Sequence, residues 1–278
     1  MATKAVAKKP GTAVTLWEKK MADAAERQKQ TEKPMAGFLQ ITTGSGILSV
    51  DGNEVKDNFL DVVVLQSAYE NAYYGGEPYD AANPKPPVCY AFGDIEADDP
   101  EEGMAPGMYA GKPSAEVADK QADSCADCEH NVMGSSDTGK GKSCKNIRRL
   151  AVITSDSMES AEKVTTAEVR LVKVPVTSVK NWSGYVRNTL TDDLNRPYWS
   201  VVSRLALARD KKTQFKMTFD YQESIDFDDG TFVALEKQIE KVKKLIVAPY
   251  PTPDAEEAPA KPRGKVATKA VAGKGKKY

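Results

Sequence analysis

Along most of this chain apolar residues alternate with polar ones or gather in short runs. Only at three places do they recur at the spacing of a helix. From Phe38 the texture is β: FLQIT and ILSV flank TGSG, DGN follows as a hairpin turn, and NFLDVVVLQSAYENAYY is dense in β-branched and aromatic residues. After Pro84, Pro86 and Pro87 comes a short strand, Val88 to Phe92. Beyond Arg148 the same texture returns in RRLAVIT, TTAEVRLVKVPV, YWSVVSRLALAR and QFKMTFDY. The helical places are Val14 to Gln28, with Leu16, Trp17, Met21, Ala24 and Ala25 on one side and Pro34 ending any continuation; SVKNWSGYVRNTL; and Thr231 to Val247, with Phe232, Leu235, Ile239, Val242 and Ile246 on one stripe. The pattern predicts a mainly β, α+β fold: an OB-like, partly open antiparallel barrel with peripheral helices.

One stretch breaks the pattern. Residues 93–140 hold Gly, Pro, Ser and acids, among them Asp94, Glu96, Asp98, Asp99, Glu101 and Glu102, and too few apolar residues for a core. A structureless loop of that length inside a compact domain is uncommon, so something other than hydrophobic burial should hold it.

Composition narrows the class. Among 278 residues no apolar run approaches the ~18 of a transmembrane helix, and MATKAVAKKPG carries no secretory signal, so a soluble intracellular protein is expected. The single histidine, His130, removes most Ser-His and Cys-His catalytic schemes. The net charge of −1 conceals an asymmetry. Lys4, Lys8 and Lys9 at one end, and Lys261, Arg263, Lys265, Lys269, Lys274, Lys276 and Lys277 at the other, stand among no acids, and ATKAVA occurs at both ends (2–7 and 267–272). Between 11 and 260, 29 basic residues face 40 acidic ones. We therefore expect a basic disordered arm at 1–12, a domain at 13–250 with an insertion at 89–149, and a Pro/Ala/Lys-rich disordered tail at 251–278. The arms are either solubilising or contacts to nucleic-acid phosphates.

The four cysteines bracket the insertion. Cys125 and Cys128 form C-x-x-C, Cys144 follows 16 positions on, and Cys89 precedes. C-x-x-C lets two thiolates converge on one ion, and two further cysteines complete a closed four-thiolate zinc site with no open position for hydrolytic water. Zn2+ would then be structural, its binding energy replacing the missing core. Either Cys89 or His130 could be the fourth ligand; the reading carried forward is Cys89, Cys125, Cys128 and Cys144. Disulfides suit an oxidising compartment that nothing here suggests, and a thioredoxin-like pair needs a βαβ context.

GSSDTGKGKSCKNIRRL follows, with Lys140, Lys142, Lys145, Arg148 and Arg149 among glycines, the one dense basic patch within the acidic domain. Glycine-rich loops present N–H groups to phosphates and the cations add attraction. Gly134, Gly139 and Lys140 match half of a Walker A loop, but Gly141 replaces the Ser/Thr that would hold Mg2+.

PPVCYAFG, CADCEHNVMGSSDTGKGKSCKNIRRLAVI and VKVPVTSVKNWSGYV resemble a family of tailed-bacteriophage proteins labelled single-stranded-DNA-binding and grouped with phage replication genes. The resemblance covers about Phe38 to Tyr250 and is most specific around the cysteines. It implies a zinc-bearing phage protein that acts on DNA in the host bacterial cytoplasm, with Cys89, Cys125, Cys128 and Cys144 as the matching cysteines. Glu129 stands where the family often has proline, which alters loop stiffness and leaves the ligands untouched.

Single-strand binders combine a cationic groove with aromatic platforms. The candidates are Tyr90 beside Cys89, Trp182 and Tyr185 beside Lys180 and Arg187, and Tyr198 and Trp199 beside Arg196, with Tyr69, Tyr73 and Tyr74 weaker. The expected function is a non-enzymatic single-stranded-DNA-binding protein in phage replication or recombination. The alternatives are a zinc-stapled accessory factor that binds replisome or transcription proteins, and a nuclease holding Mg2+ on Asp94 to Glu102 or on Asp226, Asp228 and Asp229.

Overall fold

The long run NFLDVVVLQSAYENAY becomes the strand around which the others assemble, β4 (Phe59–Tyr73). The structure is a computed structural model and describes residues 46–50, 53–76, 85–93 and 111–250, together with the backbone of 38–42. The arms, the helix expected at Val14 to Gln28 and the acidic run 94–102 lie outside the described residues.

Among the described residues nine strands form one sheet: β1 (Phe38–Thr42), β2 (Ile47–Val50), β3 (Asn53–Glu54), β4, β5 (Cys89–Phe92), β6 (Lys145–Thr154), β7 (Arg170–Val174), β8 (Val201–Asp210) and β9 (Gln214–Ser224). Their order is β3-β2-β1-β7-β6-β4-β8-β9. One edge of β4 pairs with β6 along most of its length; the other pairs with β8 at its start and with β5 at its end. Every pairing is antiparallel except β1 with β7. The fold is mainly β, as expected; the ladder runs open from β3 to β9, and the sheet does not close into the OB-like, partly open barrel that the pattern predicts. It curls enough to bring the turn before β2 against β9: a Cβ on Gly46 would stand 1.9 Å from Phe215 Cε1.

Helices cover both faces. The sequence TTAEVRLVKVPV, expected as strand throughout, splits: its first residues end helix α1 (Ala161–Thr166), whose N-cap Ser160 accepts from Lys163 N–H, and only Arg170–Val174 is strand. SVKNWSGYVRNTL forms α2 (Val176–Gly184), which runs on as a nine-residue π-helix, Tyr185–Asp193. Helix α3 (Asp229–Ile246) starts where Asp228 accepts from Thr231 N–H at 2.9 Å. On one face α2 and the π segment bury Trp182, Tyr185 and Leu190 against Val62, Val64, Leu150, Val152, Val172 and Val174. On the other, Ala234, Leu235, Val242 and Ile246 of α3 cover Val63, Leu65, Ala151 and Ile153. Gln238 donates to the carbonyls of Val164 and Thr165 and so fastens α1 to α3.

A β-bulge interrupts β4 between Val64 and Gln66. One extra residue shifts the side-chain alternation by one, so Val63 and Leu65 share a face with Ala68, Glu70 and Ala72, and Tyr69, Asn71 and Tyr73 turn to the other. This places the candidate site.

Candidate metal centre and its surroundings

Register brings the cysteines together from distant parts of the chain. Cys89 of β5 pairs with Tyr73, and Lys145 of β6 pairs with Ala72, so Cys89 and Cys144 flank the end of β4. Cross-strand partners share a face, which puts Cys89, Tyr73, Asn71 and Asn146 on one side of the sheet. Cys125 and Cys128 reach this place from the insertion. Cys125 N–H donates to the Gly111 carbonyl at 2.8 Å, Asn131 N–H to the Cys128 carbonyl at 2.9 Å, and Cys144 N–H to the His130 carbonyl at 2.8 Å.

All four cysteines are buried and free, and all four line one cavity, with Asn71, Tyr73, Gln121 and Asn131 among its other walls. The centre of a water-sized sphere can move through about 20 Å³ of it, room for roughly one water-sized body. Burial and the neighbouring thiols push Cys144 up to about 12, and burial raises Cys89 and Cys125 as well. Two interactions oppose this: Gln121 N–H bonds to Cys89, and the Asn71 side chain bonds to Cys125. Groups whose negative charges would repel one another in so small a space are what a divalent cation draws into ionised form. Among the described residues no group of three or more His, Cys, Asp or Glu stands ready to hold a metal ion. Four thiols around one small cavity are a donor set of the chemical type that structural zinc takes.

His130 does not line the cavity. Its ring stacks on Tyr73, centroids 4.0 Å apart and 10° between planes, and its backbone carbonyl carries Cys144 N–H and the Ser135 hydroxyl. The half Walker A match has no strand-to-helix context: Gly134, with φ of +93°, and Gly139 belong to a tight loop closed by Gly134 N–H on the Gly141 carbonyl, ahead of β6.

The candidate DNA contacts divide. Lys140, Lys145, Lys180 and Arg187 are exposed, and Arg196 is half-buried. Lys142 does not reach outward: its ammonium donates to Asn131 Oδ1 at 3.1 Å and Asn146 Oδ1 at 3.0 Å. Arg148 lies over the Tyr69 ring, 3.0 Å from its centroid, half-buried. Arg149 is a correction. Alternation turns it to the opposite face, where it is 1 % exposed, pairs with Glu70 at 2.8 Å and donates to the carbonyls of Ile246 and Ala248. Lys173 and Tyr250 complete that cluster; Lys173 lies 3.6 Å from Glu70, and the Tyr250 hydroxyl donates to the same carboxylate.

The stacking platforms are also corrected. Tyr90, Trp182 and Tyr185 are buried, because the apolar ring area is needed to cover the sheet. Trp182 packs on Tyr198 and Phe219, and the Tyr185 hydroxyl bonds to Ser203 at 2.7 Å. Tyr198 and Trp199 are half-buried: Tyr198 donates to Gln66 at 2.6 Å, and Trp199 packs against the touching rings of Phe227 and Phe232. Asp228, offered as a Mg2+ ligand, has both carboxylate oxygens on Thr231 as a helix cap, which holds its carboxyl below the usual range.

The sequence reading missed Asn71, Asn131 and Asn146. A signal existed for the first: asparagine is depleted in strands, and Asn71 stands in the middle of one. Comparison of the chain with protein families, with curated proteins and with solved structures returns no match.

Proposed function

We propose that this chain is a non-enzymatic single-stranded-DNA-binding protein whose insertion is held on the sheet by a structural zinc ion. The observation that carries the reading is the convergence of Cys89, Cys125, Cys128 and Cys144 on one cavity, at the base of the loop that exposes Lys140 and Lys145. Zinc, when bound, supplies a closed tetrahedral crosslink and no reactive water. The resemblance of the cysteine-bearing stretch to phage DNA-binding proteins points the same way. With Tyr90, Trp182 and Tyr185 buried, the protein would hold DNA chiefly by its phosphates.

Four exposed cations, Lys140, Lys145, Lys180 and Arg187, make no ion pair among the described residues. Phosphate contact by all four gives a log–log salt slope of about −3 on a single strand. Anisotropy titration of an oligothymidine across salt measures it, and Lys140→Ala with Lys145→Ala should reduce the slope by about 1.4. Absence of binding at low salt refutes the DNA reading; absence of stoichiometric zinc in the purified chain refutes the metal reading.

One observation favours a protein-binding accessory factor instead. Val132 and Met133 are 55 % and 74 % exposed on the turn after His130, and within 111–147 five lysines face six carboxylates. An oligonucleotide titration indifferent to Lys140 and Lys145 would favour that reading.

A further inference from the structure

The amides around the cavity have an order that a single ammonium dictates. An ammonium only donates, so both amides that Lys142 touches must turn their oxygens toward it. The NH2 group of Asn146 then faces away, donating to Asn71 Oδ1 at 2.7 Å and to Asn131 Oδ1 at 3.1 Å. Asn71, its oxygen occupied, has only its NH2 group left to donate within the small cavity that it lines together with Cys125. Asn131 likewise turns its NH2 group to the Cys125 carbonyl at 2.7 Å. From one cation, two paths converge on one cysteine: through Asn146 and Asn71 to its sulfur, and through Asn131 to its backbone.

We propose that Lys142, Asn146 and Asn71 form a polarised relay of positioning residues that presents an N–H donor to the Cys125 sulfur and thereby strengthens its ligation of the metal. The inference rests on the zinc reading above and says which neighbours tune it. The three residues come from β4, from β6 and from the loop before β6, so the relay also ties the insertion's site to the register of the sheet. A relay of opposite polarity would turn an amide oxygen, a lone pair, toward the same sulfur and weaken its hold on a cation. Lys142 prevents that inversion.

Cobalt substitution in the full chain tests this, because thiolate-to-cobalt charge transfer reports the energy of the sulfur lone pairs. The wild-type chain should first take up one Co2+; if it takes up none, the metal reading and the relay fall together. Given uptake, Asn71→Leu, which keeps volume but removes the donor, should move the charge-transfer band to lower energy and weaken zinc by about 10–100-fold in competition with a chromophoric chelator. Lys142→Met should shift the band in the same direction, and Lys142→Arg, which restores donors, should return both band and affinity to wild type. This second pair decides the matter if Asn71→Leu does not fold. A Lys142→Met protein that binds cobalt with an unshifted band and undiminished affinity overturns the relay while leaving the zinc site standing.

Discussion

Glu70→Leu should destabilise this protein more than almost any other single exchange, and the reason is Arg149. The Glu70 carboxylate is fully buried, Arg149 is 1 % exposed, and they meet at 2.8 Å with Lys173 beside them at 3.6 Å. Removing the carboxylate leaves a guanidinium with the carbonyls of Ile246 and Ala248 and the faces of Phe92 and Tyr250 for company, none of which neutralises it. Breaking a buried pair by deleting one partner costs about 3–5 kcal/mol. At roughly 2–4 °C per kcal/mol for a chain of this size, Tm should fall by about 6–20 °C. Arg149→Met should cost a similar amount, since the buried Glu70 carboxylate then loses its closest cation and keeps the Tyr250 hydroxyl and, at 3.6 Å, Lys173. The double variant Glu70→Leu/Arg149→Met removes both charges and should recover at least half of the summed loss, a coupling of about 3 kcal/mol or more. Thermal and urea unfolding of the four proteins give the cycle, and an oligonucleotide titration of Arg149→Met completes it. If Arg149→Met kept its wild-type Tm and lost DNA affinity, the buried-pair account would be wrong and Arg149 would be a DNA contact after all.

Chelation should remove one zinc per chain and expose 111–144 to limited proteolysis while β8 and β9 stay protected; a cleavage pattern blind to chelator would refute the staple. In metal-free protein the folded state keeps Cys144 protonated from its ordinary 9.0 up to about 12 while the unfolded chain ionises. Its contribution is therefore complete below pH ~9 and is lost above it, up to about 4 kcal/mol near pH 12. Urea midpoints at pH 7, 9 and 10.5, compared with those of Cys144→Ser, should show this difference, and parallel curves would contradict it. Gly46→Ala combines a φ of +64° with a Cβ inside the Phe215 ring. It should cost about 1–2 kcal/mol for the backbone alone and more with Phe215 in place. An equal loss in the Phe215→Leu background would mean that the curl does not bring these residues together.

Much of the fold was legible in the chain because strands here are half-buried and alternate, and each β-rich run contains a strand, although TTAEVRLVKVPV gives its first residues to α1 and YWSVVSRLALAR opens on a 3-10 turn. The cysteine quartet was legible for a different reason: thiol chemistry needs particular residues at particular spacings, and C-x-x-C survives any change of fold. The helical stripe of α3 was equally plain, with Leu235, Val242 and Ile246 buried as periodicity requires. Less legible was how far the sheet would curl, since closure depends on strand pairing between distant segments, and the parallel pairing of β1 with β7 has no local signature.

What only the tertiary structure decided is which way side chains face. Simple alternation along β4 would put Asn71 beside Leu65, under α3. The bulge at Val64–Gln66 adds one residue, and everything after it changes sides, so that Asn71 meets Cys125 and Glu70 meets Arg149. The same register turns Arg148 and Arg149, neighbours in the basic run, to opposite faces of the sheet, one over Tyr69 and one into a dry ion pair. Charge and residue type are properties of the chain; the dielectric around them depends on a one-residue shift that long-range strand pairing selects.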